Sequence, residues 1–258
     1  MLRQSKDEEI LDRTAEVASA ITEEGLRTGG ESVPDRLSRS TTPTSCGAAT
    51  SPRTVASLPR RTAATKLNVA DHPRERDLPG LRGWVVAVAI DAEHRFSKTP
   101  QLSIILTRGH GIEGDAHYGQ FVRHRYLARR NPRAPNLRQV HLIPSELFDA
   151  LRNSGFDVSH GDLGENITTA GLELETLPLN TELHIGDSAH IRLTGLRTPC
   201  ILIDRFKSGL KSRLRVETPN PPFRAGVMAV VSEGGEISQG DPIRAILPDR
   251  PHLPLPPL

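Results

Sequence analysis

The chain has 258 residues, a formal net charge of +2 and two cysteines. The small charge gives no indication of a nucleic-acid partner, and two cysteines exclude a disulfide-rich scaffold and favour a reducing compartment. No apolar run is long enough to cross a bilayer. The hydrophobic fraction of 36% and the aromatic fraction of 3% are low for a chain folded throughout, so we expect a folded domain joined to a polar segment.

The first 80 residues divide into two predicted parts. Within residues 1–26, apolar side chains recur at helical spacing, which predicts a short amphipathic helix that either docks on a partner or stays solvated. Residues 27–80 are rich in Pro, Ser, Thr and Arg and cannot bury enough apolar surface to offset chain entropy. We predict a disordered linker there, and Cys46 within it has no predicted role.

The composition of the N-terminal region bears on where the protein is located in the cell. No apolar segment follows Met1, which disfavours a secretory signal peptide. Residues 27–66 resemble a mitochondrial transit peptide in composition, but acidic residues crowd the first 24 positions, where transit peptides avoid them. We predict a cytoplasmic location and leave mitochondrial import open.

From Leu81 onward the chain has the pattern of a β-protein. Short apolar or alternating runs predict strands at residues 84–90, 102–106, 140–143, 166–169, 182–185, 189–194, 227–231 and 242–247. One helix is predicted over Glu146–Asn153, with Ser145 as its cap and Gly155 as its stop. Because strands do not alternate regularly with helices, we predict a mainly β barrel or sandwich over residues 81–248. A proline-rich, extended tail follows over residues 249–258.

One cysteine in the folded part is the first candidate functional residue. Cys200 follows Pro199 and lies three residues after Arg197. A thiolate is both a nucleophile and a soft metal ligand, and a nearby guanidinium favours that charged form. The alternative is that Cys200 is a small buried hydrophobic residue.

Two glycine-rich loops and a lysine supply the other candidates. The loop over residues 109–119 contains Asp115 and His117, which share one side if the segment is extended. Asn166 follows the second loop and could hydrogen-bond the edge of a heterocycle. Lys98 could pair with an anionic ligand. Each also has a purely structural interpretation, as turn residues or as a solvated surface lysine.

Taken together, the ordered motifs of this chain resemble the MOSC domain, the module found at the C-terminus of molybdenum cofactor sulfurases and in standalone bacterial proteins. The matching segments are residues 96–98, 111–117, 138–143, 161–167, 185–187, 194–200, 226–231 and 240–241. The resemblance covers about residues 82–248 and leaves the N-terminal segment unmatched. It implies a β-barrel fold of the MOSC type with a few short helices.

The resemblance also implies a cleft that holds the molybdenum cofactor, with Cys200 at its reactive end. There Cys200 would ligate molybdenum or carry sulfur as a persulfide. The cofactor-binding residues implied in this sequence are Lys98, Asp115, His117, Asn166, Arg197 and Cys200. Lys98 and Arg197 would balance the charge of the pterin phosphate and of the thiolate.

Two classes of function follow from the resemblance. In the first, the protein is an enzyme, either a molybdenum-dependent oxidoreductase that reduces small N-hydroxylated compounds or a sulfur transferase. The first needs an external electron donor, and the second needs a separate cysteine desulfurase because no pyridoxal-phosphate domain is recognisable in the chain. In the second class, the protein is a non-catalytic binding or scaffold module of the same fold.

Overall fold

A computed structural model describes residues 81–123, 128–129, 131–216 and 221–258. The predicted helix over residues 1–26 and the predicted disordered segment over 27–80 lie outside these described residues. The strands of the described part are β1 (Arg82–Ile90), β2 (Thr99–Gln101), β3 (Ser103–Thr107), β4 (Gly111–Ile112), β5 (Val140–Pro144), β6 (Ile167–Ala170), β7 (Glu182–Ile185), β8 (Ala189–Leu196), β9 (Val227–Glu233), β10 (Gly235–Ser238) and β11 (Pro242–Ile246).

Seven of these strands close a barrel. The order is β1, β6, β5, β9, β8, β7 and β11, and β11 pairs with β1 to complete the circle. All neighbours in the barrel are antiparallel except β5 and β6, which are parallel. The strand β2 adds to β1, while β10, β3 and β4 form a second, three-stranded sheet. The prediction of a mainly β barrel is therefore confirmed.

Alternating burial along the strands explains why the sequence forms a barrel. In β7, Leu183 and Ile185 are fully buried while Glu182 and His184 are only partly covered. A period of two places every second side chain on the inner face. The barrel core consists of such residues from every barrel strand, with Leu142, Ile167, Ile191 and Leu193 among its fully buried side chains.

The described helices include α1 (Ser145–Asn153), α2 (Ile201–Phe206) and α3 (Leu210–Arg213), and a 3-10 helix covers Leu174–Thr176. A second apolar cluster joins α1, α2 and α3 to one another. The prediction of Ser145 as the helix cap was wrong by one residue, because β5 runs directly into α1 and its last residue, Pro144, holds the cap position in extended conformation. Gly155 follows the end of α1 with φ of 85°, as predicted. No helix in the described ranges has the length and apolar character to span a membrane.

The proline-rich tail docks on the end of β8. Leu258 N donates to Leu196 O at 2.9 Å, and Leu196 N donates to Pro256 O at 2.8 Å. Leu255 and Leu258 are 4% and 5% exposed. The tail thus lies beside the segment that leads to Cys200.

Candidate functional site

The candidate residues lie on loops at one end of the barrel. Lys98 precedes β2, His117 follows β4, Asn166 precedes β6, Arg197 follows β8 and Cys200 precedes α2. All five line one cavity of about 270 Å³. The sixth candidate, Asp115, is 5% exposed and hydrogen-bonds to three of those five. The structure therefore brings together all six residues that the sequence singled out.

Asp115 is the hub of this arrangement. Its Oδ2 atom accepts hydrogen bonds from Lys98 Nζ at 2.5 Å and from Asn166 Nδ2 at 3.0 Å. Its Oδ1 atom accepts from the backbone N of His117 at 2.9 Å and contacts His117 Nδ1 at 3.1 Å. One carboxylate thus fixes side chains from three loops.

The Asp115–Lys98 pair is buried and ionic. The two side chains are 1% and 5% exposed. Burial opposes the charged carboxylate, but the hydrogen bonds from His117 and the charge of Lys98 prevail and hold the pKa of Asp115 well below its usual value. Burial lowers the pKa of Lys98, and Asp115 counteracts this effect. Lys98 therefore enters the cavity wall already paired.

Asn166 is largely occupied by the fold. Its Nδ2 atom donates to Ala89 O at 3.1 Å as well as to Asp115, and its Oδ1 atom accepts from His141 N at 3.1 Å. Both amide hydrogens are therefore engaged within the protein. Asn166 lines the cavity mainly as a clamp between β1, β5 and the Asp115 loop.

Cys200 and Arg197 form a second polar contact in the cavity wall. Arg197 Nη2 donates to Cys200 Sγ at 3.7 Å. Cys200 is a free, partly exposed thiol in extended conformation directly before α2. Burial lowers the pKa of Arg197, while the adjacent sulfur opposes that effect. A guanidinium in this position stabilises negative charge on the sulfur.

Sequence reasoning missed Arg138 and His141, which also line the cavity. Burial and the neighbouring Arg197 lower the pKa of Arg138 to about 10. His141 is 6% exposed, its Nε2 atom donates to Ala225 O at 2.9 Å, and burial together with Arg197 lowers its pKa to about 3. Both residues occur in the matched motifs, but a strand-like run gave no sign that they reach the cavity.

Glu165 is a third missed residue, placed just outside the cavity wall. It is 1% exposed, and burial raises its pKa to about 7 although backbone hydrogen bonds oppose this rise. Its Oε1 atom accepts from Gly161 N and, at 3.4 Å, from Thr168 Oγ1. Glu165 thereby holds the turn that precedes β6.

The glycines of that turn allow a close approach between loops. Gly161 and Gly164 have φ of 88° and 82°. A Cβ on Gly161 would overlap the carbonyl oxygen of Lys98, and one on Gly164 would lie 2.6 Å from that of Phe96. These glycines therefore serve the packing of the Lys98 segment against the turn.

The cavity wall is cationic. Lys98, Arg138 and Arg197 contribute to it, and the lining residues in the described part of the chain include no Asp or Glu. Arg95 also lines the cavity and is paired with Asp91 at 2.8 Å. Such a wall favours an anionic ligand, such as one that carries a phosphate group.

Metal binding by the protein alone is restricted at this site. Among the described residues, no three His, Cys, Asp or Glu side chains are arranged to hold a metal ion. Cys200 is the thiol in the cavity wall, and a metal held by it would need further ligands from a bound group.

Comparison with known proteins gives the family. The model of the MOSC domain matches residues 114–244, about half of the chain. This chain belongs to the MOSC domain family. The match includes Asp115, His117, Asn166, Arg197 and Cys200, whereas Lys98 lies before it.

One solved structure supports the fold, and a second has a lower TM-score. The YuaD protein from Bacillus subtilis is 19% identical, with a TM-score of 0.54, over 65% of this chain and 97% of that chain. YiiM from Escherichia coli is 19% identical, with a TM-score of 0.46, over 67% of this chain and 73% of its own. No curated protein matches the chain significantly.

Proposed function

We propose that this MOSC-domain protein binds the molybdenum cofactor in the cationic cavity, with the Cys200 thiolate as the protein ligand to the metal. The observation that supports this most directly is the Arg197–Cys200 contact in a wall that carries further cations and no acid. A thiolate suits a soft metal centre. The donor set of the cavity therefore fits the cofactor.

The roles of the chain's own residues follow from their charges. Arg138 and Arg197 are the guanidinium groups that would hold an anionic phosphate, since guanidinium binds phosphate with two hydrogen bonds. Lys98, anchored by Asp115, would place its ammonium group in the cavity wall. When bound, the cofactor supplies two-electron redox chemistry at the metal.

In the first form of the proposal, the protein reduces small N-hydroxylated compounds. Electrons come from an external donor protein, and Cys200 remains a metal ligand throughout. The cavity wall supports this form because it offers the partly exposed ring of His117 together with the guanidinium groups of Arg138 and Arg197. Reductase activity that survives Cys200→Ala would contradict this form.

In the second form, Cys200 carries sulfur. Its thiolate attacks the terminal sulfur of a persulfide on a cysteine desulfurase, and the cysteine of that donor leaves as a thiolate. The partly exposed Cys200 supports this form, as do its exposed neighbours Ile201 and Leu202, which are 56% and 41% exposed. Absence of a trapped persulfide on Cys200 after incubation with a desulfurase and cysteine would count against it.

The test common to both forms begins with cofactor content. The full chain is expressed in a host that makes the molybdenum cofactor, and molybdenum and fluorescent pterin are measured per chain. We expect stoichiometric molybdenum in the wild type and at least a tenfold loss in Cys200→Ala. Cys46→Ser is the matched control, since it removes the other cysteine of the chain.

The alternative is a non-catalytic binding module in the cytoplasm. It predicts neither molybdenum nor pterin in the wild type, and no trapped persulfide. Equal molybdenum content in the wild type and in Cys200→Ala would show that the protein binds the cofactor without Cys200 as its ligand.

A further inference from the structure

His117 and Asp115 form a carboxylate–imidazole pair inside the cavity. The Asp115 carboxylate is 1% exposed, whereas the His117 side chain is 30% exposed and lines the cavity. Two contacts join them, from the His117 backbone N at 2.9 Å and from its Nδ1 atom at 3.1 Å. The imidazole is therefore held by its inner edge.

This geometry fixes the tautomer of the ring. Asp115 is ionised, because His117 and Lys98 hold its pKa well below the usual range. A carboxylate only accepts hydrogen bonds, so Nδ1 of His117 must carry the hydrogen. In the neutral ring, Nε2 is then the atom that can take up a proton and give it back.

Other cavity-lining groups are less suited to proton transfer. Lys98 is held by Asp115, and His141 is buried and donates to Ala225 O. Arginine keeps its proton in proteins. The ring of His94 contacts that of His117 edge-on, with centroids 5.1 Å apart.

We infer that His117, oriented by Asp115, is the proton donor for the reaction in this cavity. This rests on the first form of the proposed function. Reduction of an N-hydroxylated amine breaks the N–O bond, consumes two electrons and two protons, and releases amine and water. The electrons come from an external reductant.

The proton on Nε2 passes to the departing hydroxyl oxygen, so that oxygen leaves as water rather than hydroxide. The second proton reaches the nitrogen from solvent. Asp115 stabilises the imidazolium before transfer and keeps the ring in place afterwards. Since the ring is 30% exposed, solvent can reprotonate it between turnovers.

The experiment compares wild type, His117→Gln and His110→Gln in the full chain loaded with cofactor. His110 lies in the same loop but does not line the cavity, and its ring stacks on Tyr118. Phenylhydroxylamine is the substrate, reduced methyl viologen is the donor, and aniline is measured across pH. We expect His117→Gln to retain molybdenum, to lose about 10²–10⁴-fold in kcat, and to recover partly with added imidazole. His110→Gln should keep the wild-type profile.

A second readout does not depend on activity. Nitrogen-15 NMR of the histidines should show neutral His117 with its hydrogen on Nδ1, and Asp115→Asn should shift this signal. A hydrogen on Nε2 of the neutral ring overturns the inference.

The activity measurements distinguish failure of the proposed role of His117 from failure of the proposed function. Loaded His117→Gln with an unchanged rate and pH profile overturns the role of His117 and leaves the proposed function standing. Wild-type protein without molybdenum or reductase activity overturns both.

Discussion

Two buried side chains near the cavity respond to pH in opposite directions. Glu165 releases its proton at about pH 7 in the fold and near 4.5 when unfolded. Between these values the folded state binds more protons, so Glu165 makes stability fall as pH rises, by roughly 3 kcal/mol in all. His141 takes up a proton near pH 3 in the fold and near 6.5 when unfolded. It makes stability rise with pH across that window.

The Glu165→Gln variant should show the contribution of His141 to the pH dependence of the unfolding free energy. In the wild type the two slopes oppose each other between about pH 4.5 and 6.5, whereas the variant keeps only the rising one, about 1.4 kcal/mol per pH unit. Urea unfolding of both proteins at pH 4.5, 5.5 and 6.5 measures the difference. We expect the variant to gain stability relative to wild type as pH rises, and to be the more stable protein at pH 8. Parallel curves for the two proteins would show that the pKa of Glu165 is the same in the folded and unfolded states.

At the scale of elements, periodicity explains what the sequence could predict. Barrel strands such as β7 and β8 alternate apolar and polar residues, and α1 places Leu147, Phe148 and Leu151 on one face. The strands β2 and β4 have three and two residues, and α2 and α3 have six and four, so they carry too little pattern to detect. These short elements form because neighbouring segments of the chain pair with them or pack against them.

The same distinction applies to the cavity. Lys98 and Cys200 could be predicted as cavity residues because the family resemblance depends on the type and order of residues in the sequence. Arg138 lies beside Arg197 in the cavity wall, and Glu165 is buried close to the charge of the same Arg197, a residue remote from both in sequence. No local pattern encodes such contacts, and none signals that the tail reaches β8.

The docked C-terminal tail contacts the segment that leads to the cavity. Leu258 packs with Met228, which lines the cavity, and Thr198 N donates to Leu258 O at 3.2 Å. A Cβ on Gly195 would lie 2.5 Å from Pro256 O, so this glycine admits the tail. The tail therefore braces the segment that carries Arg197 and Cys200.

Leu258→Ala should loosen that segment. Burial of Leu258 at 5% exposure implies a loss of about 2–5 kcal/mol in unfolding free energy, and a several-fold faster reaction of Cys200 with a thiol reagent in native buffer. Leu253→Ala is the matched control, because Leu253 is 58% exposed. Both measurements use a Cys46→Ser background. An unchanged Cys200 rate would mean that the tail stabilises the barrel without bracing the cavity.

At the scale of the whole molecule, the closed barrel links the cavity to the distant seam. The pairing of β1 with β11 sets Trp84 opposite Pro242, and Val85 N donates to Asp241 O at 2.9 Å. One apolar cluster includes side chains from both seam strands and from β5, β6, β8 and β9, which adjoin the cavity loops. Opening the seam exposes that shared core.

Unfolding should therefore be a single transition when it is observed from either place. Trp84 is the only tryptophan of the chain, so its fluorescence reports the seam, and the reactivity of Cys200 in the Cys46→Ser background reports the cavity. We expect the same urea midpoint from both probes and from far-ultraviolet circular dichroism, as coincident transitions indicate two-state behaviour. The cavity loops rest on Asp115, a buried hub held by contacts from β1, β4 and β6 neighbours, and these contacts persist only while the barrel is closed. If Cys200 became reactive at lower urea than the fluorescence midpoint, the cavity end would open as a separate unit. Binding of a ligand in the cavity would then raise the urea midpoint of Cys200 reactivity without moving the midpoint of Trp84 fluorescence.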